Sequence, residues 1–199
     1  YKIKVLEDAA EALGSLYNGK QVGTFGDVGI LSFNGNKIVT TGVGGAIITN
    51  KTSLAKLSRH LSTTSKLNHK WDFVHNMIGY NYRLANLNAS LGISQIDKLN
   101  KFILHKQKLL KKFKSFVKDS SQLKILDQPK KCRSNFWLHT LILKNSSKSK
   151  KDKLLNELHK NKIFARPIWR PLHKLKFLKK YPKMNPKNLE FLENKIINI

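Results

Sequence analysis

The chain has 199 residues, of which 40% are hydrophobic and 25% charged, so it can bury a core and is not disordered throughout. It contains no apolar run long enough to span a bilayer, and its first residues lack the layout of a signal peptide. We therefore expect a cytoplasmic protein without a membrane partner. Its single cysteine, Cys132, excludes an internal disulfide and a cysteine-based zinc site, and we expect no bound metal.

The net charge is strongly positive, because 38 basic residues face 12 acidic ones and leave a formal charge of +26. Of the basic residues, 27 lie in residues 101–199, where lysines are interspersed with apolar residues in amphipathic patterns. Only five residues are arginine, which proteins that read bases and phosphates favour. Nucleic acid is therefore not the expected partner, and a basic nucleic-acid-binding protein remains an alternative.

The first half of the chain has the pattern of an α/β sheet. Residues 3–6, 28–33 and 45–49 are short apolar runs typical of strands, and residues 9–16 have the spacing of a helical turn. Glycine-rich turns separate these elements. The functional residues of such a sheet are expected in the loops at the strand ends.

The second half is built differently, since all 11 glycines precede residue 93 and four of the 5 prolines follow residue 160. Apolar residues from 96 to 117 recur at helical spacing and predict one long amphipathic helix. A strand is then expected over residues 136–143 and a helix over residues 151–160. These elements predict a small α+β domain at residues 120–199.

Three residues that could carry chemistry lie at or just beyond the ends of predicted strands. Asp8 comes just after the first strand, Ser32 lies at the end of the second, and Lys37 follows in the next turn. A lysine amine can form a Schiff base with pyridoxal phosphate, a carboxylate keeps the pyridine nitrogen protonated, and a hydroxyl can hold the phosphate. In the purely structural interpretation, Lys37 is one more lysine of a lysine-rich chain and Asp8 is a helix N-cap.

Several segments carry a closer likeness, namely residues 5–14, 23–27, 32–37, 41–45 and 79–92. In this order they closely resemble the signatures of the DegT/DnrJ family of sugar aminotransferases. Residues 69–71, 135–138 and 165–169 are similar to the legionaminic-acid branch, whose members are UDP-4-amino-4,6-dideoxy-N-acetylglucosamine transaminases. The likeness extends over essentially the whole chain.

The resemblance implies the C-terminal half of a fold type I pyridoxal phosphate enzyme. Residues 1–119 would form part of the large-domain sheet and end in a long connecting helix, and residues 120–199 would form the small C-terminal domain. The family likeness also implies a homodimer with shared active sites. Because relatives are about twice as long, the missing half would supply the rest of the phosphate cradle, and we expect this chain to be inactive alone.

The resemblance also implies roles for individual residues. Lys37 matches the Schiff-base lysine and Asp8 the partner of the pyridine nitrogen, while Glu11 stands near the ring hydroxyl. Ser32 matches the phosphate-binding serine, and Asn81 matches an asparagine that reaches the phosphate of the neighbouring subunit's cofactor.

Three further residues, Arg166, Trp169 and His173, match a segment near the sugar nucleotide in relatives. The implied reaction is transfer of an amino group from glutamate to a nucleotide-linked 4-keto-6-deoxy sugar. Retention of Lys37 favours aminotransfer over the dehydration catalysed by relatives with histidine there. A catalytically silent regulator with the same fold is the alternative.

Overall fold

The computed structural model describes all 199 residues, which form two compact units. The first unit comprises Tyr1–Lys106 and Gln128–Trp137, and the second comprises Gln107–Asp127 and Leu138–Ile199. The domain boundary predicted between residues 119 and 120 stays a prediction.

The chain contains ten strands and five α-helices. In chain order they are β1 (Leu6–Asp8), β2 (Leu16–Tyr17), β3 (Lys20–Gln21), β4 (Val28–Ser32), β5 (Gly45–Ile48), α1 (Thr52–Ser62), α2 (Asn86–Ile96), α3 (Leu99–Val117), β6 (Leu123–Ile125), β7 (Cys132–Arg133), β8 (Thr140–Leu143), α4 (Lys148–Lys160), β9 (Arg166–Pro167), α5 (Lys187–Glu193) and β10 (Ile196–Asn198). Two 3₁₀ turns, Leu172–Lys174 and Lys176–Leu178, precede α5. None of the helices has both the length and the apolar character that crossing a membrane requires.

The main sheet of the first unit has the strand order β1-β4-β5. Strands β1 and β4 run parallel, with Asp8 opposite Ile30, and β5 runs antiparallel to β4, with Gly45 opposite Ser32. A second small sheet joins β3, β2 and β7, so residues 128–137 return to the first unit by strand pairing. The parallel pair places the carboxyl ends of β1 and β4 at one edge of the sheet.

The core of the first unit lies beneath that edge. Ala9, Leu31, Phe33 and Val39 are buried together, and they flank the turns that follow β1 and β4. Gly14 has a positive φ of 80°, and a Cβ there would overlap the side chain of Ile103 on α3. Only glycine fits this close approach between turn and helix.

Glu7 in β1 fastens the loop between β3 and β4. Its carboxylate accepts hydrogen bonds from the backbone N–H groups of Gly23, at 2.8 Å, and Gly26. Burial alone would raise the pKa of Glu7, but the hydrogen bonds from Gly26, Gly23 and Phe25 outweigh it and hold the pKa below its usual 4.5.

We expect Glu7→Gln to lower the free energy of unfolding at neutral pH by roughly 1 kcal/mol, because an amide replaces a partly exposed carboxylate that accepts charge-assisted hydrogen bonds. A carboxylate with a lowered pKa stabilises the fold fully above its usual value near 4.5, and this contribution is lost as the pH falls through the folded-state pKa. Urea unfolding at several pH values measures the difference. The control is Glu157→Gln on the exposed face of α4; an equal Glu7→Gln effect well below pH 4 would contradict the prediction.

The second unit contains a four-stranded antiparallel sheet with the order β6-β8-β10-β9. All three residues of β10 are buried, because β8 and β9 pair with its two edges. Helix α4 begins at a Ser147 N-cap, whose side chain accepts the N–H of Lys150 at 3.3 Å. The buried Lys151 donates from Nζ to the carbonyl of Glu193 at 2.9 Å, which ties α4 to the end of α5.

Several predicted elements are present close to their expected bounds, notably β4, β5, α3 and α4. The predicted strand at residues 3–6 is wrong in position, since β1 begins at Leu6. Val5 instead exchanges hydrogen bonds with Asp27, donating to its carboxylate and accepting its N–H, each at 2.8 Å. The helical turn predicted over residues 9–16 is replaced by two short turns within residues 10–14, and Leu16 already begins β2.

Two further boundaries differ from the sequence-based prediction. The long helix does not begin at Ile96, where α2 ends, but at Leu99, because a turn at Asp97 and Lys98 separates the two helices. The strand predicted over 136–143 begins only at Thr140. Phe136 has a φ of 48°, a left-handed conformation that a strand does not accommodate.

Candidate active site

The candidate site begins at the edge where the parallel strands β1 and β4 end. Asp8 is the last residue of β1 and Ser32 the last of β4. Asp8 lies opposite Ile30, two residues before Ser32, so Asp8 and Ser32 belong to the same face of the sheet. Asp8 Oδ1 accepts the N–H of Ala10 at 3.2 Å, and Ser32 Oγ accepts the N–H of Asn34 at 3.3 Å.

Lys37 lies in the turn that directly follows β4. Its N–H donates to the carbonyl of Asn34 at 3.0 Å, and the buried Phe33 and Val39 anchor the two ends of the turn. The carbonyl of Phe33 accepts the N–H of Thr41 at 3.0 Å, which closes the loop. Lys37 is thus held at the same sheet edge as Asp8 and Ser32.

The Lys37 side chain is only 11% exposed because two groups cover its amine. Glu11, in the turn after β1, forms an ion pair with Lys37 Nζ. The second group is Trp137: Lys37 Nζ lies 4.3 Å from the centre of its ring, within the range of a cation–π interaction. The amine therefore has an anion and an aromatic face as neighbours.

The segment that brings Trp137 to this site is fixed by Asn135, which is 3% exposed. Its amide nitrogen donates to the carbonyls of Glu11, at 2.7 Å, and Leu13, at 3.0 Å. Its amide oxygen accepts the N–H of Trp137 at 2.9 Å. Asn135 therefore links the turn carrying Glu11 to the residue that covers Lys37.

Sequence patterns assign no role to Asn135 or Trp137, because they lie about 100 residues from Lys37 along the chain. Neither the periodicity of apolar residues nor the spacing of motifs predicts a contact between residues so far apart in sequence. The only signal in the sequence is the likeness of residues 135–138 to the family branch.

Asn81 lies in the extended segment between α1 and α2. It forms an isolated antiparallel bridge with Thr63, and its side chain is exposed. The neighbouring rings of Tyr80 and Tyr82 stack with their centroids 5.2 Å apart. The structure does not bring Asn81 into hydrogen-bond contact with Lys37, Asp8 or Ser32, and its contact with a second subunit's cofactor stays a prediction.

The residues expected near the sugar nucleotide all lie in the second unit. Arg166 begins β9, Trp169 follows that strand and is exposed, and His173 lies in the first 3₁₀ turn. His173 Nε2 lies 3.0 Å from Glu190 Oε1, so this histidine is paired on its own unit. Their role in substrate binding stays a prediction.

Comparison with known proteins identifies the class to which this fold and site belong. The DegT/DnrJ/EryC1/StrS aminotransferase family matches residues 1–197, and the chain belongs to that family. The membership expected from the sequence motifs is confirmed. The chain spans about half the length of the curated relatives that it matches.

Among these relatives is GDP-perosamine synthase of Escherichia coli O157:H7, which is 34% identical over 90% of this chain and 48% of its own length. The UDP-4-amino-4,6-dideoxy-N-acetyl-beta-L-altrosamine transaminase of Campylobacter jejuni is 32% identical, with coverage of 90% and 48%. Among solved structures, Helicobacter pylori PseC, an aminotransferase involved in the biosynthesis of pseudoaminic acid, has a TM-score of 0.90 at 26% identity. The match covers 98% of this chain and 54% of PseC, and it confirms the expected fold type I architecture.

Proposed function

We propose that the intact protein is a pyridoxal phosphate-dependent aminotransferase that converts a nucleotide-linked 4-keto-6-deoxy sugar to the 4-amino sugar, with glutamate as the amino donor. The observation that carries the proposal is the placement of Asp8, Ser32 and Lys37 at one edge of a parallel strand pair. Membership of a sugar aminotransferase family supports the same reaction class.

The donor set at this edge fits pyridoxal phosphate. Lys37 offers a sheltered amine for the aldehyde, and Asp8 offers a carboxylate for the pyridine nitrogen. The Ser32 hydroxyl and, from a second subunit, Asn81 would hold the phosphate. When bound, the cofactor supplies an electron sink for the bond being broken at the substrate carbon.

Residues of this chain would hold and move the protons during the reaction. Asp8 would hold a proton at the pyridine nitrogen, because a nearby carboxylate stabilises the charged ring. Lys37 Nζ would take a proton from the donor's α-carbon and later return one to the sugar carbon, as a general base and acid. Glu11, which pairs with Nζ, would orient the amine between these transfers.

The proposed substrate is a UDP-linked 4-keto-6-deoxy-N-acetylhexosamine, and the product would serve surface glycan or nonulosonic acid biosynthesis. The names of the relatives support a sugar nucleotide of this kind, since they include a UDP-amino-sugar transaminase and a GDP-perosamine synthase. The positive charge of the chain favours encounter with a diphosphate. Arg166, Trp169 and His173 are the proposed substrate contacts, in a homodimer with shared sites.

The test is incubation of the intact protein with glutamate, pyridoxal phosphate and a panel of UDP- and GDP-linked 4-keto sugars. Chromatography with mass detection should show a UDP-linked 4-amino sugar and an equal amount of 2-oxoglutarate. Amination of GDP sugars alone would overturn the choice of nucleotide. Cofactor binding without amination of any sugar would favour the silent regulator, and tight salt-dependent DNA binding without cofactor binding would favour the nucleic-acid binder.

A further inference from the structure

We propose that Trp137 is a positioning residue for Lys37. Its ring face, together with Glu11, holds the Lys37 amine whenever that amine is not bonded covalently to the cofactor. This inference rests on the proposed function, because only a lysine whose bond to the cofactor forms and breaks in each reaction cycle needs a defined position for its free amine.

The first support is the contact itself. Lys37 Nζ lies 4.3 Å from the centre of the Trp137 ring and forms an ion pair with Glu11. A cation over an indole face is attracted by the ring quadrupole, and tryptophan provides the strongest such face. Together the two contacts define one position for the amine, between the carboxylate of Glu11 and the ring face.

The second support is that one hydrogen bond fixes the Trp137 ring and two more fix its backbone. The indole Nε1 donates to the carbonyl of Asn36 at 2.6 Å, and the Trp137 N–H donates to Asn135 Oδ1 at 2.9 Å. The Trp137 carbonyl accepts from Lys106 Nζ at 3.2 Å. Burial lowers the pKa of Lys106, which indicates that this second lysine lies in a partly desolvated place beneath the segment.

The third support is the backbone that precedes the ring. Phe136 is buried and has a φ of 48°, which is rare for a bulky aromatic residue. Conformations of this kind persist where surrounding contacts hold them, and Asn135 supplies such contacts on the neighbouring residue. Trp137 itself is half-buried, and its ring lies against the Lys37 amine.

The chemical consequence concerns the two forms of the cofactor. Pyridoxal phosphate would engage the Lys37 amine covalently, whereas pyridoxamine phosphate would leave that amine free. Trp137 would therefore stabilise the pyridoxamine form selectively. Loss of one partly shielded cation–π contact should weaken pyridoxamine phosphate binding about threefold to tenfold relative to pyridoxal phosphate.

The experiment compares Trp137→Leu with Trp137→Phe, which keeps an aromatic face, and with Phe191→Leu. Phe191 lies under Lys195, with Nζ 3.7 Å from the ring centre, so its replacement removes a comparable contact away from Lys37. Intact protein saturated with pyridoxamine phosphate is treated with a limiting reductive methylation reagent. Peptide mass spectrometry then gives the methylation rate of each lysine, and circular dichroism verifies folding.

We expect Lys37 to be methylated several-fold faster in Trp137→Leu than in the wild type or Trp137→Phe. Phe191→Leu should accelerate methylation at Lys195 and leave Lys37 unchanged. Equal Lys37 rates in wild type and folded Trp137→Leu, or an unchanged ratio of the two cofactor affinities, would overturn the proposal. Failure of the proposed function would look different: the wild-type protein would either bind neither cofactor form or bind cofactor without aminating any sugar.

Discussion

Lys37→Ala in the intact protein is expected to reduce sugar amination at least about a thousandfold, because the proposed reaction needs the Lys37 amine both to bond the cofactor and to move the proton at the substrate carbon. Borohydride should fix the cofactor to the peptide containing Lys37 in the wild-type protein, and the variant should lack this label. Amination assays and peptide mass spectrometry measure the two effects independently.

Two control variants separate this chemical role from a structural one. Lys37→Arg retains a cation for Glu11 but cannot replace the lysine amine, so it should be as inactive as Lys37→Ala. Lys51→Ala removes another ion-paired lysine, which bonds Asp27, and should retain activity. Substantial amination by folded Lys37→Ala would exclude Lys37 as the catalytic amine.

Asp8→Asn is expected to reduce amination about a hundredfold to a thousandfold, the size of effect seen when a single preorganised electrostatic partner is removed from an active site. Asparagine has nearly the same shape and can still accept the N–H of Ala10, but its neutral amide does not hold a proton at the pyridine nitrogen. Most of the loss should fall on kcat rather than on the KM for glutamate. Steady-state kinetics at saturating cofactor measure this division.

The matched control for Asp8→Asn is Asp152→Asn. Asp152 forms a surface ion pair with Lys148 at 2.6 Å on α4, so its replacement makes the same chemical change away from the candidate site. It should leave amination within about twofold of the wild type, since exposed pairs contribute little. If both variants were equally active, Asp8 would have no role in tuning the cofactor.

The placement of Asp8, Ser32 and Lys37 at one edge of the sheet could be predicted because these residues are close in sequence. Asp8, Ser32 and Lys37 lie within 30 residues, and a parallel strand pair is enough to bring strand ends together. The contact of Trp137 with Lys37, and the role of Asn135 in positioning Trp137, could not be predicted in this way. Asn135 donates a hydrogen bond to the carbonyl of Glu11, 124 residues away in sequence. Such a contact depends on tertiary packing, which the local spacing of apolar residues does not reveal.

Local backbone geometry explains the errors in the predicted elements. Residues 136–139 have the composition of a strand, but Phe136 adopts a positive φ that aims Trp137 at Lys37, so β8 starts later. Residues 9–16 have the spacing of a helical turn, yet Gly14 adopts a left-handed conformation against Ile103. In both segments, side-chain contacts from distant residues outweigh the local preference.

The return of residues 128–137 to the first unit has a practical consequence for expression work. A polypeptide stopped after residue 119 would keep Lys37 but lack β7, the antiparallel neighbour of β2, and with it Asn135 and Trp137. In such a polypeptide Lys37 would retain its neighbouring motif residues, but its amine would be exposed to water on the side that the Trp137 ring covers. A minimal fragment carrying this candidate site should therefore extend through residue 137.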